Sequence, residues 1–241
     1  MKRFSYDGKT DELIFIEDGF TFPSMSKQVQ YHETNHSSYR RRKRATLSPL
    51  TFSIPVMVFK KSWVTRSDLN DRLNYLLYSD GPKKLVFEDV EWYIEGEFNG
   101  PYEIPNTINY MTSFEIEFTT SHPYKILNEA RTQEGSTITI DTKSQLPTLP
   151  HIELTGLTGD DVQISNSKAD GSFKRIRLSG SLPAGITIDP ENETLYRTDT
   201  GDERLDLLRI DSNFEDFTLE DGDVVTVNQG SAKLTYKELM L

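Results

Sequence analysis

With 241 residues, 35% of them hydrophobic and 11% aromatic, the chain is long enough for one large or two modest domains and too apolar for a disordered acidic segment. It contains no cysteine, which excludes disulfides, thiolate nucleophiles and cysteine metal sites. The formal net charge of −11 is uneven: residues 146–241 hold 9 Lys and Arg against 18 Asp and Glu, a balance of −9 that leaves −2 for residues 1–145, and phosphate would be repelled by so acidic a second half.

In chain order, the basic start Met1-Lys2-Arg3 is followed only by the short apolar run Leu13 to Ile16, so no secretory or membrane address is read. Gln28 to Arg44 shows no convincing period and ends in Arg40, Arg41, Arg42, Lys43 and Arg44. A loop this long inside a compact domain is uncommon and often functional. The run reads either as a solvated strand end or loop paired with nearby acids, or as a contact between subunits. Nucleic acid is the least favoured partner, because aromatic interleaving is confined to Tyr39. Ile54 to Phe59, the longest apolar stretch, is far too short to span a bilayer. Pro55 within it predicts that this strand is an edge at that position, since proline cannot donate to a ladder.

One helix is predicted. Leu69, Leu73, Leu76 and Leu77 recur at helical spacing after Thr65, a plausible N-cap with Asp68 three residues on, and Gly81-Pro82 supplies a stop. The remaining pattern has a period of two. Leu85 to Phe87 and Trp92 to Phe98 read as a hairpin across Glu88-Asp89, with Gly96 as a possible bulge. Phe114 to Phe118 alternates apolar and acidic residues without a break. Ile138/Ile140, Ile176/Leu178, Val225/Val227 and Leu234/Tyr236 are later short strands between turn clusters. Between them, the polar stretch Asp141 to Gln145 and then Pro147 and Pro150 mark a connector near residue 145, where the charge also shifts. The expected architecture is mainly β, with a first domain at 1–145 and a β-sandwich at 146–241.

No catalytic arrangement is found. His32 and His36 lack the metalloprotease pattern and a third ligand, and His122 and His151 flank prolines like turn residues. No nucleophile elbow, Walker loop or dinucleotide fingerprint occurs. Asp211 to Asp216 begins like a calcium loop, but Asp216 stands where Gly is needed and Gly222 where a bidentate Glu is needed. No enzyme activity, cofactor or metal is expected.

The succession of segments resembles the distal tail protein family of long-tailed phages. In the first half it is carried by Tyr39 to Phe59, where the basic run leads into Ala45 to Phe52. The helix Ser67 to Leu73, the strand Lys84 to Asp89 and the closing segment Phe118 to Lys125 continue it. In the second half it is carried by Val162 to Asn166, Ile186 to Asp189 and Phe217 to Asp223. The resemblance implies a first domain related in fold to tail-tube proteins, a β-sandwich or split barrel with one α-helix, and a galectin-like second sandwich. It further implies a homohexameric ring in the virion at the distal end of the tail, built in the host cytoplasm. Its partners would be the tail tube protein above, and the tail-associated tip protein with its receptor-binding proteins below. No membrane and no specific nucleic-acid binding is implied. Arg40 to Arg44 are the candidate subunit or tube contact. The alternative is a carbohydrate-binding module touching the host wall, although 146–241 has no Trp and only Phe173, Tyr196, Phe214, Phe217 and Tyr236 for sugar stacking.

Overall fold

The computed structural model describes residues 2–24, 26–32, 41–59, 65–105 and 110–241. The chain divides into two compact units, Met1–Lys125 together with Leu241, and Ile126–Met240.

The first unit is built from β1 (Phe4–Tyr6), β2 (Ile14–Ile16), β3 (Ser26–His32), β4 (Arg41–Ser48), β5 (Thr51–Phe59), α1 (Arg66–Leu77), β6 (Lys83–Phe87), β7 (Trp92–Phe98) and β8 (Met111–Thr120). Antiparallel pairing runs β2-β5-β8-β7-β6-β1. Ile16 N–H donates to Lys2 O at 2.8 Å, just ahead of β1, so the last strand meets the first and the sheet closes on itself. Closure does not pair every ladder: β8 meets β7 only from Phe118 to Thr120 and β5 meets β2 only from Val56 to Val58, so among the described residues Met111 to Glu117 and Thr51 to Pro55 have a strand partner on one side only. Strand β5 shows why these residues suit a barrel wall: Phe52, Ile54, Val56 and Val58 are buried while Ser53, Pro55 and Met57 alternate outward.

Pro55 lies where β5 is an edge on its β2 side, as the proline predicts. Strand β5 is paired with β8 through Pro55 opposite Glu115, and with β2 up to Ile16 opposite Val56. The proline is tolerated because the β2 ladder ends there, and its carbonyl still accepts from Glu17 N–H at 2.9 Å. Gly96, by contrast, makes no bulge, since Lys83 to Val86 pair with Gly96 to Tyr93 in unbroken register. It is a point of close approach, where a Cβ would lie 3.0 Å from Thr119 O.

Helix α1 begins where its residues direct. Asp68 N–H donates to Thr65 Oγ1 at 3.2 Å and Thr65 N–H to Asp68 Oδ2 at 2.8 Å, a reciprocal cap in which Asp replaces the usual Glu. These bonds hold the exposed Asp68 carboxyl below its ordinary range. Leu69, Leu73, Leu76 and Leu77 enter one core with the barrel interior, whose centre is aromatic: Phe118 meets the rings of Phe4, Tyr6, Phe52 and Phe98 at centroid distances of 5.2–6.4 Å.

The second unit holds β9 (Lys125–Gly135, lying in this unit from Ile126), β10 (Thr137–Thr139), β11 (His151–Thr155), β12 (Asp161–Ser167), β13 (Phe173–Ser179), β14 (Gly185–Asp189), β15 (Thr194–Arg197), β16 (Val224–Val227) and β17 (Ser231–Met240). Its two sheets run β9-β17-β11-β14-β15 and β10-β16-β12-β13, and their inner faces share one mostly aliphatic core, a β-sandwich. His151 opens β11 opposite Thr235 rather than occupying a turn.

The division falls about twenty residues upstream of the proline connector. The reason lies in the polar stretch before Pro147, which is bonded along β17 instead of spanning open ground. The buried Glu238 carboxylate accepts from Arg131 Nε at 2.7 Å, Thr142 Oγ1 at 3.0 Å and Lys143 N–H at 2.7 Å. Gln145 N–H donates to Leu239 O, and Ile138 and Ile140 enter the sandwich core.

Candidate subunit interface

The basic run, the one site that the sequence singles out, falls on a strand. Arg41, Arg42, Lys43 and Arg44 are the first half of β4, and Arg40 lies outside the described residues, as does His36. The stretch from Gln28 that shows no period is therefore a hairpin in its described part, not a loop. Strands β3 and β4 form a two-stranded sheet of their own, from Ser26 opposite Ser48 to His32 opposite Arg41. Its register steps between Gln30, opposite Arg44, and Tyr31, opposite Arg42, so Lys43 is the extra residue of a bulge. That extra residue shifts the face on which side chains fall and hides any period of two. The only clues in the sequence were Val29, Tyr31 and the later Ala45 to Ser48.

A lone two-stranded ribbon is marginal in water and gains most by being covered. The other strand edges follow a different course. Outside β13, Arg175 N–H donates to Asn213 Oδ1 and Arg177 N–H to Ser212 Oγ, while Arg209 and Asn213 N–H groups donate back to the carbonyls of Arg177 and Arg175. Outside β15, Arg197 N–H donates to Asp202 O and Arg204 N–H to Leu195 O. The β3–β4 ribbon is a separate sheet whose ladder the described residues extend on neither side.

The remaining polar chemistry of the second unit is structural. Lys168 Nζ lies 2.9 Å from both Asp223 Oδ2 and Glu220 Oε1, and Asn166 Nδ2 donates to the same Asp223 oxygen at 3.0 Å. Burial opposes the charge on Lys168, but the hydrogen bonds from Asp223 and Glu220 outweigh it and raise its pKa above the ordinary value. An ammonium held so firmly charged is a poor nucleophile or base. Asp211, which opens the failed calcium pattern, pairs with Arg175 at 2.6 Å. Among the described residues, no three His, Asp or Glu side chains gather as a metal site. Phe214, Phe217 and Tyr236 are buried and Tyr196 is half-buried, so Phe173 is the only exposed aromatic of the second unit, too little for a sugar-stacking platform.

Comparison with known proteins decides what this architecture is. No family model matches the sequence, and no curated protein matches it. Solved structures do. The SPP1 Dit protein (gp 19.1), described as a paradigm of the hub adsorption apparatus in phages infecting Gram-positive bacteria, superposes with a TM-score of 0.83 over 100% of both chains at 14% identity. The chain has the Dit fold. The phage P2 baseplate in its activated conformation superposes with a TM-score of 0.61, at 10% identity with Ca and 11% with Sr, over 99% of this chain and 98% of the other. These relatives in fold are described as a hub adsorption protein and a phage baseplate. At such low identity the Dit fold is carried by strand order and burial pattern, not by shared side chains.

Proposed function

We propose that this chain is the hub subunit of a long-tailed phage tail tip, six copies of which close into a ring. The ring joins the tail tube on one side to the tail-associated tip protein and its receptor-binding proteins on the other. The observation that carries this reading is the end-to-end superposition on a hub protein, with neither chain left over. A repeated contact between unlike surfaces suits it, because closed cyclic symmetry uses one such contact per subunit. The basic ribbon, a two-stranded sheet of its own, is the edge that such a contact would use. Assembly occurs in the host cytoplasm, which suits a chain without cysteine.

Arg40, Arg41, Arg42, Lys43 and Arg44 are assigned to the contact with a neighbouring subunit or with the tube. Five adjacent cations repel one another, and acids across an interface offset that repulsion. Exposed pairs contribute only about 0–1 kcal/mol each and are screened over roughly 8 Å at physiological salt, so the run acts as a group. Replacing Arg40, Arg41, Arg42 and Arg44 by Ser leaves the melting temperature unchanged but lowers assembly, as read by sedimentation at low and high salt. A variant that assembles like wild type in both salts removes the run from the interface.

A further inference from the structure

We propose that the first unit carries an acid-rimmed aromatic pocket that receives an arginine side chain from strand β4 of a second copy of this chain. The proposal rests on the ring reading above and supplies the surface on which the basic run lands.

The pocket has a volume of about 170 Å³ and lies beside the β6–β7 turn. Its floor is formed by rings: Phe20 stacks on the buried Phe87 at 5.6 Å and Phe22 meets Trp92 edge-on at 5.3 Å. Three carboxylates, Glu17, Asp18 and Glu88, stand at its rim beside Lys2, with Lys125 over two of the rings. Glu88 accepts the backbone N–H of Arg3 at 2.9 Å, and among the described residues neither it nor Glu17 nor Asp18 has an ion-pair partner. The rings already draw a cation, for Lys125 Nζ lies 5.5 Å from the centre of Phe22 and 5.3 Å from that of Trp92. Aromatic faces beneath a rim of carboxylates match a guanidinium, which stacks by its plane and forks by its edge, better than the compact, strongly hydrated ammonium of lysine.

Charge and register select the occupant. Arg40 to Arg44 is the longest cationic run of the sequence. The pocket residues Phe20 and Phe22 stand just before the base of the ribbon at Ser26, whereas Arg44 and Arg41 pair with Gln30 and His32, further along it. At roughly 3.3 Å per residue, the ribbon carries these arginines about 13–20 Å away from its own base. A paired ribbon cannot double back onto the residues that lead into it, so the arginine that fills the pocket comes from another copy.

The test uses the full chain with Trp63→Phe, which leaves Trp92 as its single tryptophan, and with Arg40, Arg41, Arg42, Lys43 and Arg44 all changed to Ser so that no native strand competes. A synthetic peptide of residues 39–48 is titrated while Trp92 fluorescence is followed. Saturable binding is expected, about tenfold weaker when Glu17→Gln, Asp18→Asn and Glu88→Gln are combined, and also weaker when every arginine of the peptide is lysine. The neutralised chain must keep its melting temperature, which separates a lost site from a lost fold. A peptide that leaves Trp92 unchanged, or binds the neutralised pocket equally well, overturns the pocket while the ring reading stands on its own assembly data. Peptide binding by a chain whose wild type never assembles overturns the second copy as occupant, and the ring reading with it.

Discussion

The two units solve the same problem by different means. The first closes its sheet into a barrel and fills it with interlocked rings, Phe4, Tyr6, Phe52, Phe98 and Phe118, and the buried polar side chains among its described residues are Thr112 and Thr120. The second leaves its sheets open, fills their interior with Ile, Leu and Val, and buries Asn166, Lys168, Asp223 and Glu238 among them. The open sandwich has edges and a winding chain to fix, and directional bonds fix them. Glu238 ties down residues 131–143, and Asp223 ties the end of β12 to the start of β16. The contrast teaches that nondirectional packing suffices where a sheet curls round its own core, and that buried charge appears where long connections have to be fixed. A half-paired buried charge is costly, so such networks also make the second unit the more brittle of the two under polar substitution.

The sharpest way to break this comparison is to cut the chain. A fragment of residues 126–241 is expected to unfold cooperatively, whereas 146–241 lacks Arg131, Ile138, Ile140 and Thr142 and is expected to show neither a dispersed amide spectrum nor an unfolding transition. Cooperative unfolding of the shorter fragment would return the boundary to the proline connector. Next come substitutions that address one unit each. Phe118→Ala removes the ring at the centre of the barrel and is expected to cost about 3–5 kcal/mol, moving only the calorimetric transition of the first unit. Asp223→Ala strands Lys168 with Glu220 alone, a loss of about 3 kcal/mol, and moves only the transition of the second. If either variant shifts both transitions equally, the units are not energetically separate.

The smallest effect lies at the helix. Thr65→Ala removes half of the reciprocal cap at a cost of about 1 kcal/mol, visible as a small drop in the first transition. Because the folded state holds the Asp68 carboxyl below its ordinary range, the cap contributes fully above the unfolded carboxylate pKa. Its contribution is lost as pH falls through the folded value. An acid titration of wild type and Thr65→Ala should therefore converge at low pH.

Much of this architecture was legible because it is local. The cap, the leucine spacing of α1, the β6–β7 hairpin and the alternation of β8 depend on residues within a turn or a strand of each other, and each falls where the pattern places it. What the pattern misjudged depends on partners distant in sequence. Asp141 to Gln145 look like a linker until β17, nearly a hundred residues on, is laid against them. The basic run was visible from charge alone. The bulge at Lys43 hid its strand, and the carboxylates of the pocket proposed to receive it are scattered between Glu17 and Glu88, with no spacing to betray them.

The central claim is that this Dit-fold chain builds a ring, and negative-stain electron microscopy of the purified protein over a rising concentration series tests it most directly. The account predicts closed rings of six subunits, single or stacked, that become scarcer in high salt and in the Arg40, Arg41, Arg42 and Arg44 to Ser variant. Monomers alone at every concentration, with no ring in particles containing the protein, would contradict it.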